Sequence, residues 1–403
     1  MVAVTALLRL RGRVLVFALA ACLLPAGASA GGGPQGGQFG YGPHVKEARA
    51  VLACAPWGKH PAPYRTCLEN HFLQLIEQSH DSADELPKID AYVGSVGGWL
   101  QLNCHLIMHN VGRRFAVAEH VTLENLLDYL PKSNNPDCSA GFSHGLLIAL
   151  GPQIMKMGPH AAAAECAKAD TRYERYSCVH GLGHAYARIY LDYPMPALAA
   201  CKLLGPEDAV DCAQGVFHDY WIAVAGLDAA HAHPGMTTSP RKLCGQYGGN
   251  YARACWYRAL LEHPPTFPVD SAKAELRACA GLHDLQQKAC ITGASLIRSN
   301  DPFVQMSTCA HLPAVFQVAC ARGVQVPQVA LASNGERLSL AAACGADARQ
   351  ARYGCYWWLG KALNVVTNGK AVRAVCPHLG TAFARSACVV GAKTYEGPLI
   401  TFS

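Results

Sequence analysis

Residues 166–218 read CAKADTRYERYSCVHGLGHAYARIYLDYPMPALAACKLLGPEDAVDCAQGVFH, and the four cysteines in this stretch decide the fold. Cys166 and Cys178 lie 12 positions apart, Cys201 and Cys212 lie 11 apart, and the second pair begins 35 residues after the first. Working outward, the same spacing returns at Cys54/Cys67, Cys244/Cys255, Cys279/Cys290, Cys309/Cys320, Cys344/Cys355 and Cys376/Cys388. From Cys166 onward the first member recurs every 30 to 43 residues, most often 35. Cys104 and Cys138 remain, and they are candidates to pair with each other.

A period near 35 without the two-residue alternation of strands indicates two-helix units stacked on one another. The expected fold is therefore all-α, a disulfide-stapled helical-repeat solenoid or curved α/α array. A disulfide closing a loop of this length stabilises by roughly 2–3 kcal/mol in the chain-entropy model. Ligation of zinc or an iron–sulfur cluster by cysteine would show CxxC pairs, and the chain contains none.

Composition agrees with a folded, exported protein. Of 403 residues, 51% are hydrophobic and 15% charged, which excludes disorder, collagen and coiled coil. The count of 19 Cys points to an oxidising compartment. Residues 1–30 read as a signal peptide: Arg9, Arg11 and Arg13 form the charged region, Val14 to Pro25 the apolar stretch, and Ala28-Ser29-Ala30 a cleavage site. A competing reading lipidates Cys22, within Leu19-Ala20-Ala21-Cys22, and anchors the chain. Both readings place the body outside the cytoplasm, secreted or periplasmic. Without the three leader arginines the formal charge falls from +6 to +3, which is no nucleic-acid signature. No later stretch offers 18 continuous apolar residues, so no transmembrane helix is expected. Residues 31–44 form a Gly-rich linker, 45–137 an N-terminal helical unit, and 138–403 the Cys-paired helical repeats.

The second cysteine of each pair is expected to open a helix. Glycine follows it by three at Gly141, Gly181, Gly215, Gly293, Gly323 and Gly391. Glycine inside a helix costs about 1 kcal/mol, so its recurrence suggests that a neighbouring helix comes close.

Three successive units extend this pattern to Cys-x-x-Gly-x-x-His, giving His144, His184 and His218. His180 lies four residues before His184, and His105 lies four before His109. Such a pair puts two imidazoles on one helical face, about 6 Å apart, suited to chelating one metal ion. The slot six positions after the cysteine is apolar in later units, at Leu261, Leu296 and Val326, so it is expected to face inward. A lone buried histidine is usually satisfied by a carbonyl. Six histidines in two i,i+4 pairs and a repeated slot point instead to a metal centre built from His105, His109, His144, His180, His184 and His218. Asp219 and Glu174 are candidates to orient these ligands or to add an acidic one. His231, His233, His263, His283 and His378 lack the pattern and are read as loop or surface residues.

Nitrogen ligands favour copper or zinc, with iron less suited, and disfavour calcium and magnesium. Two three-His centres, or one such centre with an open position, are both compatible with six histidines. H-E-x-x-H, CxxCH and the GxxxxGK[ST] phosphate-binding loop do not occur. The expected function is a secreted metalloprotein with its centre in residues 104–219, a metal-dependent oxidoreductase or hydrolase with no catalytic residue assigned. The alternative is a non-catalytic extracellular scaffold binding a protein or peptide on a concave face.

Overall fold

The computed structural model describes residues 45–79, 81–96, 98–131, 138–170, 172–190, 194–226, 235–262, 269, 271–298, 302–324, 344, 349–367 and 370–393. The leader, the linker, Cys22, His231, His233 and His263 lie outside the described residues. Among the described residues, 81% are helical and none is in a strand; they form 20 α-helices joined by many disulfides.

In chain order these are α1 Val45–Cys54, α2 Pro61–Ser79, α3 Ser82–Val96, α4 Gly98–Ala118, α5 Leu126–Tyr129, α6 Cys138–Ala149 and α7 Gly151–Met157. There follow α8 Pro159–Cys166, α9 Arg172–Ile189, α10 Met195–Lys202, α11 Pro206–Val224, α12 Pro240–Cys244, α13 Gly249–Glu262 and α14 Ala272–Ala278. The last six are α15 Asp284–Arg298, α16 Pro302–Ala310, α17 Ala314–Arg322, α18 Arg349–Thr367, α19 Lys370–Val375 and α20 Ala382–Lys393.

Local chemistry sets many of these starts. Proline opens α2, α8, α11, α12 and α16, where its missing N–H costs nothing and its fixed φ suits the first turn. Gly205, at φ 93°, turns the chain from α10 into α11, a conformation unfavourable to residues with a Cβ. Asp90 of α3 caps α6 from outside: its Oδ1 accepts from the backbone N–H of Cys138 at 2.9 Å and of Ser139 at 3.3 Å. Its other oxygen accepts from the Ser139 hydroxyl.

All eight cysteine pairs named from the spacing are disulfides, and so is the remaining pair, Cys104–Cys138. The expectation that the second cysteine opens its helix is corrected except in α6. In α2, α9, α11, α13, α15, α17, α18 and α20 that cysteine is the seventh residue, as in Pro206 to Cys212, and Cys104 stands at the same point of α4. In α2, α9, α11, α15 and α18 proline or polar residues, not the cysteine, make the first turn. Each disulfide therefore grips its long helix from the side, two turns in.

The long helices pack serially: α4 on α6, α6 on α9, α9 on α11, α11 on α13, α13 on α15, α15 on α17, α17 on α18 and α18 on α20. Glycine sets how closely they lie. A Cβ on Gly141 would overlap the carbonyl oxygen of His105, and one on Gly215 would overlap that of His180. Between the helices runs a continuous core in which Trp221, Trp256 and Trp358 are fully buried.

Candidate metal centre

The six histidines come from four consecutive members of this helical series. His105 and His109 stand on α4, His144 on α6, His180 and His184 on α9, and His218 on α11. The glycine contacts just described bring the backbones of these helices together beside the histidines themselves. As a result the rings meet across more than one helix: the centroids of His105 and His218, on the first and last of the four, are 5.0 Å apart. His144 lies 4.6 Å from His180 and 4.7 Å from His184, and His109 lies 4.9 Å from His184.

Among the described residues, two histidine sets could hold a metal ion: His105, His109 and His144, and His144, His180, His184 and His218. Within each set one ligand nitrogen per residue lies within 4.8 Å of all the others. A third set, Cys54, Cys67 and His71, has the right atoms, but its cysteines are joined as a disulfide and offer no thiolate.

In the first set, Nε2 of His109 lies 3.1 Å from Nε2 of His105 and 3.2 Å from Nδ1 of His144. A ring nitrogen carries either one proton or one in-plane lone pair, so it cannot make two full hydrogen bonds to two other ring nitrogens. In the second set, Nε2 of His184 lies 3.1 Å from Nδ1 of His218. Nδ1 of His184 lies 3.3 Å from Oδ1 of Asp219, which also accepts from Nε of Arg188 at 2.9 Å. The carboxylate only accepts, so the His184 proton sits on Nδ1 and Nε2 presents a lone pair to the cluster.

Burial disfavours the charged form of five of these rings. His144, His180 and His184 are fully buried, His218 and His109 nearly so, and His105 is half-buried. Desolvation holds His109, His144, His180 and His218 well below the usual imidazole pKa, with repulsion from neighbouring rings and arginines adding to it. His184 is lowered for the same reason, with Asp219 opposing the shift. Neutral imidazole is the form that binds metal.

Three participants were not anticipated from the sequence. Arg258 of α13 is buried, and its Nη2 lies 3.4 Å from Nε2 of His180. The Tyr176 hydroxyl lies 3.2 Å from Nδ1 of the same ring, and Arg188 braces Asp219. Arg258 had a visible signal: it occupies the position three after Cys255 where six other units carry glycine. Tyr176, four residues before His180, shares its helical face.

The remaining candidates fall as follows. Asp219 and Glu174 are both buried. Asp219 touches His184, and neither carboxylate is solvated. His283 and His378 are exposed. The side chains of Leu261, Leu296 and Val326 lie outside the described residues. The equivalent after Cys355 is Lys361, which is buried with Nζ 5.7 Å from the Trp357 ring centroid. That slot is therefore inward without being uniformly apolar.

Fold and site together define a disulfide-rich, all-helical protein with buried histidine clusters that could bind metal. No protein-family model matches the chain, no curated protein is detectably similar in sequence, and no solved structure is detectably similar in fold.

Proposed function

We propose that this is an exported metalloprotein in which the six clustered histidines hold a transition metal, copper or zinc before iron. One observation carries the reading: Nε2 of His109 faces two other ring nitrogens at hydrogen-bonding distance and cannot satisfy both. A cation among the three accepts all three lone pairs at once, whereas hydrogen-bonded core histidines would alternate donors with acceptors. Neutral rings, a carboxylate behind His184 and a nitrogen donor set suit a borderline or soft metal.

The recurring cysteine at the seventh helical position, and the serial packing from α4 to α20, support a helical-repeat array that curves enough to bring α4 and α11 to one point. Export by the leader in residues 1–30 accounts for the disulfides, and residues 31–44 would tether the domain. The half-buried edge at His105 is where a small molecule would reach the centre. Copper there would supply one-electron redox chemistry, and zinc would supply Lewis acidity.

The test is elemental analysis of protein exported to an oxidising compartment, with melting temperature measured with and without added zinc or copper. The reading expects stoichiometric metal and a raised melting temperature, reflecting a stability gain of RT ln(1 + [L]/Kd). His144→Leu, His184→Leu and His218→Leu should each lose both effects, and exposed His283→Leu and His378→Leu neither. Metal-free wild type, indifferent to both ions, would return the cluster to a hydrogen-bonded core and favour the scaffold reading.

A further inference from the structure

The two candidate sets overlap at one residue, His144. His144 is fully buried on α6, between the pair on α4 and the three histidines on α9 and α11. Its Nδ1 faces Nε2 of His109 at 3.2 Å. Its Nε2 is buried and has no hydrogen-bond partner among the described residues. Leaving a buried ring nitrogen unsatisfied costs roughly 1–3 kcal/mol, so a position that keeps one calls for an occupant. The two nitrogens of an imidazole diverge, so a single ion cannot use both.

We infer that the centre is dinuclear, with His144 as a bridging imidazolate: Nδ1 joins His105 and His109 on one ion, and Nε2 joins His180, His184 and His218 on a second. This rests on the metal-binding reading and adds its nuclearity. The proton balance is simple. Neutral His144 donates one lone pair to the first ion, then releases its remaining ring proton to solvent and donates the second lone pair to the other ion. The bridge thereby becomes an anion, which offsets part of the charge of two divalent ions in a buried site that also holds Arg258 and Arg188. Asp219 supplies a second negative charge beside His184. His180 needs a small local adjustment, because Nη2 of Arg258 stands 3.4 Å from its Nε2.

The experiment titrates the metal-free, disulfide-intact chain with Cu(II) and follows both stoichiometry and electron paramagnetic resonance. The inference predicts two Cu(II) per chain. The signal should grow with the first equivalent and fall well below its one-ion intensity after the second, because an imidazolate bridge couples the two spins antiferromagnetically. His144→Leu should bind fewer ions and show uncoupled copper at full intensity. Two ions with additive, uncoupled signals would overturn the bridge. A single ion per chain would overturn the dinuclear centre while leaving the metal-binding reading intact. No bound ion would overturn both. Because the decisive readings are made on wild type, a His144→Leu chain that failed to fold would not remove the test.

Discussion

Asp219 stands behind His184: its Oδ1 lies 3.3 Å from Nδ1 of the imidazole and takes a second contact from Arg188 at 2.9 Å. The carboxylate fixes the tautomer that aims Nε2 at the cluster. Asp219→Asn keeps the size but loses the charge, and its amide can present a donor where the ring needs an acceptor. Metal affinity should fall 10–100-fold, the usual effect of losing an outer-shell partner. Competition with a chelator of known affinity measures this, and an unchanged affinity would mean that His184 is not a ligand.

Arg258 would act against a bound ion. Its guanidinium donates toward Nε2 of His180, so it occupies that lone pair and adds a like charge to the centre. At an effective dielectric near 20, removing a unit charge within several ångströms of a divalent ion is worth a few kcal/mol. Arg258→Met, of similar length and neutral, should therefore tighten metal binding tenfold or more. Circular dichroism would establish that the helices persist. Weaker binding in a folded variant would give Arg258 a supporting role instead.

Acid should destabilise the metal-free protein, and the sign follows from the buried rings. His109, His144, His180, His184 and His218 have folded pKa values below the ordinary 6.5. Between those values and 6.5 the unfolded chain binds more protons, so unfolding free energy rises with pH. Stability should be full above pH 6.5 and decline below it, by up to about 1.4 kcal/mol per pH unit for each histidine. Glu47 and Glu69, raised by burial, contribute with opposite sign above 4.5, so the loss between pH 6.5 and 5.5 is a lower bound on the histidines' share. Urea midpoints in chelator at the two pH values make the comparison. Equal midpoints would contradict the buried, neutral cluster.

The helix spacing has its own test. Gly141→Ala and Gly215→Ala would press a methyl onto the carbonyls of His105 and His180, forcing apart the helices that carry the ligands. Each should cost about 1–3 kcal/mol and weaken metal binding as well. Gly94 in α3 meets nothing within 4 Å, so Gly94→Ala should gain up to about 1 kcal/mol from helix propensity. Thermal melts of the three variants decide whether glycine is there for contact.

Cysteine arithmetic made most of the architecture legible, because a disulfide needs only pairing and spacing to be inferred. The same argument misplaced the helix starts. The first turns are set by residues such as Pro206 and Asp284, and the cysteine is fixed by where two helices touch. The six histidines were visible as a pattern, yet their meeting point was not: it depends on how far α4 swings toward α11, which no local spacing encodes. Arg258 was overlooked although it breaks the glycine pattern at an aligned position. Asp219 was recognised as a candidate, but its pairing with Arg188 required the three-dimensional path of α9 beside α11.

The most direct test of the central claim is the X-ray absorption spectrum of the purified, metal-loaded protein at the copper or zinc edge. The account predicts a first shell of nitrogen at about 2.0–2.1 Å, outer-shell scattering from several imidazoles, and no sulfur near 2.3 Å, since the paired cysteines are oxidised. A shell dominated by sulfur, or one lacking imidazole scattering, would contradict it.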